Sequence, residues 1–428
     1  MPSPSRLRSA FLWSWFTAFL VSVPCSAENW PGFRGTTGQG LSSEADLPLT
    51  WSLTENLAWR VDVPGIGWSS PVVWQDRVFL TSATPDGTSC HVICVDADHG
   101  KILWDREVIR QDTPRKLAEN SHATPTPVTD GSLVYTAFNG GRIVALDFGG
   151  NVRWTWQDRE FVSKHGLAAS PILYRDLLIM PFDGNGPEDV NNIGYLTAWD
   201  GAFIVALDKF TGQEKWRAKR GLSRQAHVTP AVIQVDGRLQ LISGAGDVVQ
   251  GFNPDSGERI WTVRSLGEGV VPSIVSGNGL VFTSSGYGAP TIRAIRPNGR
   301  GEVTGTHMAW ETRDNVPLIP SFVYADGLLF CVKESGVATC FEAQTGKIVW
   351  QQRLGGKIGA SPVLADGRLY CLAKDGSMIV IAAGRVFRQL AKNVLEGPCE
   401  ASPAISGGRI FIRSQGTLFC IRNLRTEG

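Results

Sequence analysis

Short runs of alternating apolar and polar residues recur along almost the whole chain, and turn residues separate them. A typical run starts with Ser-Pro and an apolar residue, passes an Asp-Gly-like turn and returns as a second apolar run. Alternation with a period of two is the pattern of a half-buried β-strand, and short turns containing Gly or Asp are typical of antiparallel hairpins. The chain is therefore predicted to be all-β.

The prolines of these runs indicate an internal repeat. They recur at intervals of 41 to 59 residues, at Pro71, Pro125, Pro171, Pro230, Pro272, Pro320, Pro362 and Pro403. Between them lies a second element, Ala-Leu-Asp followed by Thr-Gly and then tryptophan, as in residues 206–216. Each unit predicts a meander of four strands, and such sheets bury their faces by packing radially. The eight repeats predict an eight-bladed β-propeller of four-stranded antiparallel blades.

The last repeat, Ser402 to Ile421, stops before its fourth strand. Within residues 57–61 (Leu-Ala-Trp-Arg-Val), Trp59 precedes Pro71 by the same interval that separates Trp350 from Pro362. We therefore expect this N-terminal segment to complete the last blade and close the ring. The predicted organisation is a signal peptide over 1–27, an extension over 28–56, the propeller over 57–421 and a tail over 422–428.

Residues 1–27 have the pattern of a secretory signal. Arg6 and Arg8 precede an apolar run from Ala10 to Val23, and Cys25-Ser26-Ala27 offers small residues for cleavage. The alternative is a retained membrane anchor, for which the run is short. The sequence thus predicts an exported protein, periplasmic or secreted, without a transmembrane span after cleavage.

The formal net charge is +1, and no Lys/Arg-rich run is present. Binding to nucleic acid depends on many basic groups that neutralise phosphates. A nucleic-acid partner is therefore not predicted.

The Ala-x-Asp-x-x-Thr-Gly-x-x-x-Trp element resembles the tryptophan-docking repeat of the pyrroloquinoline-quinone-like propellers, over residues 57 to about 421. That family includes alcohol and sugar quinoprotein dehydrogenases, a barrel-assembly lipoprotein of the outer membrane and many secreted propellers. The repeat tryptophans are expected to pack between blades: Trp104, Trp154, Trp216, Trp261, Trp310 and Trp350. Repeat seven lacks Thr-Gly, and Phe387 stands where tryptophan is expected, so docking should be weaker there. Trp68 and Trp199 lie outside the repeat position and are candidate contact residues.

Loops that enter the first strand of each blade should converge on one axial funnel. Their polar side chains are the candidate ligand-binding residues: Asn120, His122, His165, His227, Glu268, Asp314, Lys357 and Glu400. His122, His227 and Glu400 each lie three residues before their proline, which predicts equivalent positions on three blades. One interpretation is a zinc or copper site, and the other, favoured here, is a wet polar channel.

The longest insertion is residues 183–200, in blade three. Asp183, Asn185 and Asp189 alternate with other turn residues and are candidate calcium ligands, since calcium takes oxygen ligands from such loops. The alternative is an acidic loop that is simply solvated. We expect the segment to act as a lid beside the funnel.

Seven cysteines remain after removal of Cys25, so at least one is unpaired within the chain. Cys331 and Cys340 flank a predicted two-residue turn at Ser335-Gly336. That register would place them opposite each other with Cα atoms about 4.5 Å apart, which permits a disulfide. The alternative is two buried thiols that pack as small apolar side chains.

Two functions are compatible with these features. The chain has neither a vicinal Cys-Cys pair nor a Cys-x-x-Cys-His motif, features that hold the quinone and a covalent haem in quinoprotein dehydrogenases. The favoured prediction is a binding scaffold for a protein or an extracellular polymer. The alternative is a quinone-dependent alcohol or sugar dehydrogenase with an unusual site, whose cofactors would be pyrroloquinoline quinone and calcium.

Overall fold

The computed structural model describes residues 28–157 and 161–424. Over these ranges the chain forms 33 β-strands and one four-residue helix. The predicted signal peptide lies outside the described residues. Across the described ranges, no helix is both long enough and apolar enough to span a membrane.

The strands form eight sheets that follow one another along the chain. The first strand belongs to the last sheet and is β1 (Leu57–Asp62). Blade one consists of β2 (Val72–Trp74), β3 (Arg77–Ala83), β4 (Ser89–Asp96) and β5 (Ile102–Arg110). Blade two consists of β6 (Val128–Thr129), β7 (Leu133–Ala137), β8 (Ile143–Asp147) and β9 (Val152–Trp156). Blade three consists of β10 (Ile172–Tyr174), β11 (Leu177–Phe182), β12 (Phe203–Asp208) and β13 (Glu214–Lys219).

The remaining blades repeat this order. Blade four consists of β14 (Ala231–Val235), β15 (Arg238–Gly244), β16 (Val248–Phe252) and β17 (Arg259–Arg264). Blade five consists of β18 (Val275–Gly277), β19 (Leu280–Ser285), β20 (Thr291–Ile295) and β22 (Met308–Thr312). Its insertion holds β21 (Gly301–Glu302), which pairs in parallel with β17, and helix α1 (Thr304–His307).

Blades six to eight complete the ring. Blade six consists of β23 (Val323–Ala325), β24 (Leu328–Val332), β25 (Val337–Glu342) and β26 (Ile348–Arg353). Blade seven consists of β27 (Val363–Ala365), β28 (Arg368–Leu372), β29 (Ser377–Ala382) and β30 (Gln389–Val394). Blade eight consists of β31 (Ala404–Ser406), β32 (Arg409–Arg413), β33 (Thr417–Arg422) and β1.

The N-terminal strand closes the ring as predicted. β1 pairs antiparallel with β33, with Trp59 opposite Cys420 and Val61 opposite Leu418. The eight-bladed, four-stranded architecture is confirmed, and one extra strand, β21, adds to the edge of blade four.

Tryptophans of the outer strands join neighbouring blades. The Nε1 group of Trp104 donates to the carbonyl of Phe148 at 2.9 Å, and that of Trp350 donates to the carbonyl of Gly384 at 2.8 Å. The same bond into the next blade is made by Trp59, Trp154, Trp216 and Trp310. Trp261 differs, because its Nε1 donates to Gln240 of its own blade at 2.9 Å.

The aromatic docking contact of blade seven is formed by a different residue from the predicted Phe387. The strand register places Ala391, not Phe387, at the position that Trp350 holds in blade six. Phe387 lies before β30 and packs against Trp350. Trp51 of the N-terminal extension stacks on Tyr370 of blade seven, with ring centroids 6.5 Å apart, and is 3% exposed. The missing aromatic ring is thus supplied from elsewhere in the chain.

The predicted Cys331–Cys340 disulfide is wrong. The β24–β25 loop has three residues instead of two, because Lys333 pairs with Val337. This moves the register by one, so Cys331 lies opposite Thr339. A one-residue shift sends a side chain to the other face of a sheet. The two sulfur atoms accordingly pack in different apolar clusters, and all seven described cysteines are buried free thiols.

Candidate functional site

A ring of hydroxyl groups surrounds the axis where each chain segment enters its first strand. Each blade contributes one serine or threonine: Ser70, Thr126, Ser170, Thr229, Ser273, Ser321, Ser361 and Ser402. Six backbone N–H groups of this ring donate to the hydroxyl of the next blade, at 2.9 to 3.0 Å. These bonds hold the first strands of blades one to four, and those of blades five to eight, at one level along the axis. We refer to the eight residues as the hydroxyl ring.

The hydroxyl ring corrects the sequence alignment of the repeats. In blade two the strand-starting proline is Pro127, which follows Thr126, and not Pro125. Pro125, Pro272 and Pro320 each precede the hydroxyl residue of their blade. The other five prolines of the predicted repeat follow it. A proline at the start of an edge strand is tolerated because no N–H is needed there. The prolines therefore do not mark equivalent positions in the eight blades, whereas the hydroxyl residues do.

A second ring lies two residues before each hydroxyl. Its members are Trp68, Thr124, Ala168, His227, Val271, Ile319, Gly359 and Glu400. All eight line one axial cavity of about 370 Å³, together with seven of the eight hydroxyl-ring residues. We call this cavity the cup. Its eight-fold construction gives each blade one residue at an equivalent position in the wall of the cup.

The N-terminal extension closes one end of the channel. The carbonyl of Pro31 accepts from Thr129 in blade two at 2.8 Å, and Arg34 donates to the carbonyl of Phe322 in blade six. Both partners follow the hydroxyl ring in sequence, so the extension lies on the side away from the second ring. Phe33, between these two contacts, lines the cup. The extension therefore covers this end, which we call the closed end, and we call the opposite end of the channel the open end.

Two histidines face each other in the cup. The ring centroids of His165 and His227 are 5.8 Å apart, and Tyr195 packs against His165 at the same distance. Burial, with a smaller effect of His165, lowers the pKa of His227 to about 3, and burial lowers that of His165 as well. Both rings are therefore neutral near pH 7. Neither ring nitrogen of buried His227 has a hydrogen-bond partner among the described residues.

A single ion pair lies on the wall of the cup. Lys374 Nζ donates to Glu400 Oε1 at 2.7 Å, and both side chains are partly buried. Lys374 belongs to the loop between β28 and β29 of blade seven. Loops between second and third strands reach the same end of the ring as the entry loops. The reasoning used for the entry loops, applied to the loops between second and third strands, would have predicted Lys374, Tyr195 and Tyr287, which all line the cup.

Four of the eight residues predicted for the funnel lie in the wall of the cup. Asn120, His165, His227 and Glu400 line the cup. His122 does not, because its true offset from the hydroxyl ring differs from that of His227. It is buried, lines a neighbouring cavity and contacts the Asn139 amide at 3.2 Å.

The other three predicted funnel residues are not among those that line the cup. Glu268 accepts from Arg224 at 3.1 Å, and burial raises its pKa. Asp314 and Lys357 are exposed and line neither cavity. Distance in sequence from a proline therefore did not report position around the axis.

The segment 183–200 lies beside the cup but does not form the predicted calcium site. Both carboxylate oxygens of Asp183 accept from Arg220, with Nη2 to Oδ2 at 2.7 Å. The Asn185 Oδ1 atom accepts from the Lys164 backbone N–H at 2.7 Å, and Asp189 Oδ1 accepts from that of Asn191 at 3.2 Å. These oxygens are committed to the fold. Among the described residues, no three His, Cys, Asp or Glu side chains are grouped to hold a metal ion, which argues equally against the zinc or copper interpretation.

The cup does not fit pyrroloquinoline quinone. The quinone carries three carboxylates at neutral pH, so its site needs a surplus of positive charge. The charged groups that line the cup are Glu119, Glu400 and Lys374, and the lysine is already paired with Glu400. His165 and His227 add no charge near pH 7, because burial lowers the pKa of each.

Comparison with known proteins places this architecture in a family. The family model described as outer membrane protein assembly factor BamB matches residues 51–246, 91–300 and 245–386. No curated protein sequence matches.

Solved structures share the fold at low sequence identity. BamB from Moraxella catarrhalis is 14% identical, with a TM-score of 0.60 over 86% of this chain and 99% of that one. A europium-containing methanol dehydrogenase is 12% identical, with a TM-score of 0.64 over 91% and 90%. The quinohemoprotein alcohol dehydrogenase ADHIIG from Pseudomonas putida HK5 is 11% identical, with a TM-score of 0.58 over 92% and 80%. Because the overlapping family-model matches together span residues 51–386, the chain belongs to the BamB-like family of pyrroloquinoline-quinone-type propellers.

Proposed function

We propose that this chain is an exported scaffold that binds a segment of another protein at the open end of its axial channel. One observation carries the proposal. Four large apolar side chains are exposed on the loops of blades three to five: Leu196 at 56%, Leu222 at 59%, Leu266 at 75% and Tyr287 at 45%. Isolated exposed leucines are ordinary, whereas grouped ones beside a cavity are typical of protein-binding sites. We call these four residues the apolar rim.

Backbone contacts connect the loops of the apolar rim. Trp199, in the loop of Leu196, pairs with Ser223, which follows Leu222. Asp247 accepts from the Arg224 backbone N–H through its side chain and from Ser265, next to Leu266, through its carbonyl. These connections support one continuous surface instead of four separate tips.

The apolar rim adjoins the mouth of the cup. Tyr287 belongs to both, and Leu196 follows Tyr195, which lines the cup. Lys164 Nζ lies 4.0 Å from the centroid of the Tyr195 ring and covers it on one side. A partner segment that packs on the rim would therefore reach the cup through Tyr195 and Tyr287. The segment 183–200, which carries Leu196 and Tyr195, serves as the lid of this site.

Three further observations support the proposal. The family model is described as an assembly factor, a role that consists of binding other proteins. The signal-like residues 1–27 favour export to the periplasm or beyond. The quinone-dependent dehydrogenase has less support, because the charge that lines the cup does not match the quinone.

Site-specific photo-crosslinking in the native host tests the proposal. Benzoyl-phenylalanine placed at Leu222 or Leu266 should give a discrete adduct with one partner protein. The matched controls are Val152 and Ile348, which lie on the outer strands of blades two and six and are 47% and 44% exposed. We expect no adduct from these positions. The same adduct pattern from rim and control positions would contradict the proposal.

A further inference from the structure

A second cavity opens beside the cup. It has a volume of about 310 Å³ and lies where the entries to blades one and two meet the β32–β33 loop of blade eight. Trp68, Asn120 and Glu400 line both cavities, so the two adjoin. We call it the side chamber. None of the interactions of the proposed protein-binding rim involves it.

Arg413 is a buried cation on the wall of the side chamber. It is 1% exposed and ends β32. Its Nη1 atom donates to the carbonyl of Thr81 at 2.9 Å and to the Ser69 hydroxyl at 2.7 Å. Burial lowers its pKa to about 9, so it stays protonated at neutral pH. Within residues 28–157 and 161–424, no carboxylate pairs with it, and a buried charge without a counter-ion is strongly unfavourable.

The two nitrogens of Arg413 that have no partner are Nε and Nη2. Their N–H groups point from the same edge of the guanidinium plane, and this edge binds the two oxygens of a carboxylate side by side. We call this edge the fork.

The same molecule shows a filled fork at another buried arginine. Arg220, also 1% exposed, donates from Nε and Nη2 to the two oxygens of Asp183. Arg413 has equal burial and the same edge available but no such oxygens. The comparison indicates that a carboxylate is the chemical group that this fork suits.

The surroundings of the fork favour an anion. Lys116 lines the chamber. Burial, and to a smaller extent the charge of Lys116, lower the pKa of His122 to about 4, so that this ring is neutral near pH 7. The one carboxylate in the lining, Glu400, is already paired with Lys374 at 2.7 Å. Gly67 has no side chain above the fork, and a Cβ there would come within 2.6 Å of Nη2.

We propose that the side chamber binds a carboxylate, held by the Nε and Nη2 fork of Arg413 with Lys116 as a second positive charge. A guanidinium fork, a neutral imidazole and a chamber larger than a carboxyl group suit a carboxylate attached to a small organic body. The proposal is independent of the partner protein, since neither the apolar rim nor the lid contributes to the chamber.

Thermal unfolding of the mature protein in sodium acetate tests this at constant ionic strength. A ligand that binds only the folded state raises the melting temperature with its concentration. At about tenfold above its dissociation constant we expect a rise of roughly 2 °C, which then grows with the logarithm of the acetate concentration. Acetamide, the neutral counterpart, and sodium chloride should not produce it. A rise that is absent, or equal with acetamide, would overturn the proposal.

Two variants separate the fork from general salt effects. Arg413→Met keeps length and apolar bulk but removes the fork, so the acetate response should disappear. The matched control is Arg293→Met. Arg293 is also 1% exposed, but its free nitrogens are Nε and Nη1, which do not share an edge, and it lines neither the cup nor the side chamber. An acetate response that survives Arg413→Met, or is lost in Arg293→Met, would contradict the assignment.

A measurement on the unmodified protein covers the case in which Arg413→Met does not fold. In crystals grown with 3-bromobenzoate, the anomalous bromine peak should lie in the side chamber with the carboxylate on Arg413. Bromine peaks confined to other sites would overturn the proposal. Acetylated dipeptides with free and amidated carboxyl ends then identify the source. A free-acid peptide that binds more tightly than acetate indicates a protein C-terminus, and equal binding indicates a small metabolite acid.

Discussion

The two ends of the axial channel differ in how their charged and imidazole side chains are hydrogen-bonded. At the closed end, the Glu44 carboxylate accepts from the backbone N–H groups of Gly407 and Gly408 at 2.7 and 2.9 Å. Arg34, 1% exposed, donates from Nε and Nη2 to three backbone carbonyls, including that of Phe322, although its Nη1 has no partner. Most of the polar groups here are used to bind the extension to the blades.

At the open end, comparable groups are left unused. Both ring nitrogens of His227 and the fork of Arg413 are buried without a hydrogen-bond partner in the described part of the chain. Native proteins pair nearly all buried polar atoms, so each exception calls for a cause. The extension also has unpartnered buried atoms, namely Arg34 Nη1 and the Nε1 groups of Trp30 and Trp51. The difference is that Arg34 Nε and Nη2 bind backbone carbonyls, whereas the corresponding edge of Arg413 and both nitrogens of His227 keep their binding capacity. The closed end contributes to stability, and the open end is where we propose that recognition takes place.

The largest expected effect comes from removing the closed end. A chain that begins at residue 63 lacks the extension and β1, and with them Trp30 and Trp51, which are 0% and 3% exposed. Loss of two buried tryptophans alone costs at least about 6 kcal/mol, which approaches the whole stability of an ordinary domain. Circular dichroism should show no cooperative unfolding. A chain without residues 425–428 is the control and should melt like the full protein, and equal melting of the two truncations would refute this role of the extension.

The same substitution in the extension and at the cup sharpens the comparison. Trp51→Ala removes a ring that is stacked on Tyr370, and we expect a loss of about 3–5 kcal/mol. Trp68→Ala removes a partly exposed ring at the cup, and we expect about 1 kcal/mol. Urea unfolding measures both. Equal losses would mean that Trp68 is as structural as Trp51 and that the open end is not specialised for binding.

The third effect is a pH dependence that originates at the open end. The pKa of His227 is about 3 in the folded protein and about 6.5 in an unfolded chain. Between these values the unfolded chain binds a proton that the native protein excludes. The free energy of unfolding therefore falls as pH falls below about 6.5, by up to about 1.4 kcal/mol per pH unit.

His227→Gln should remove that contribution from urea unfolding measured between pH 6.5 and 4. His122, whose pKa is about 4 because of burial, contributes in the same direction and should leave a residual slope. His99→Gln is the control, since the His99 side chain is 80% exposed. An unchanged slope in His227→Gln would show that the ring is accessible to protons in the native state.

The architecture was predictable from sequence because its signals are local and repeated. Eight copies of one strand pattern, and a last repeat one strand short, were sufficient to predict the ring and its closure by residues 57–61. The docking tryptophans were predictable for the same reason. The replacement of the blade-seven tryptophan by Trp51 was not, since it joins residues more than 300 positions apart and no repeat carries it.

The site was only half predictable, because it depends on offsets of one or two residues. Thr124-Pro125-Thr126-Pro127 offers two equally good starts for blade two, and only the hydrogen bond from Ser70 to Thr126 selects one. That choice moved His122 out of the cup. The Cys331–Cys340 pairing failed on a loop longer by one residue. The roles of Arg413 and Asp183 were not assignable from sequence, because the Asp183 partner, Arg220, is distant in the chain and the Arg413 fork has no partner among the described residues.

The smallest effect concerns the hydroxyl ring, which separates the two ends. The Ser361 hydroxyl accepts from the Ser321 backbone N–H at 2.9 Å, whereas the Ser273 hydroxyl has no partner among the described residues. Both serines are 4% exposed. Ser361→Ala leaves a buried N–H without an acceptor and should cost about 1–3 kcal/mol, and Ser273→Ala should change the stability by less than about 0.5 kcal/mol. Urea unfolding of the two variants decides the matter. If Ser273→Ala were the more costly of the two, its hydroxyl would be bound to a group in the channel, and the ring would belong to the recognition end instead of forming the boundary between the ends.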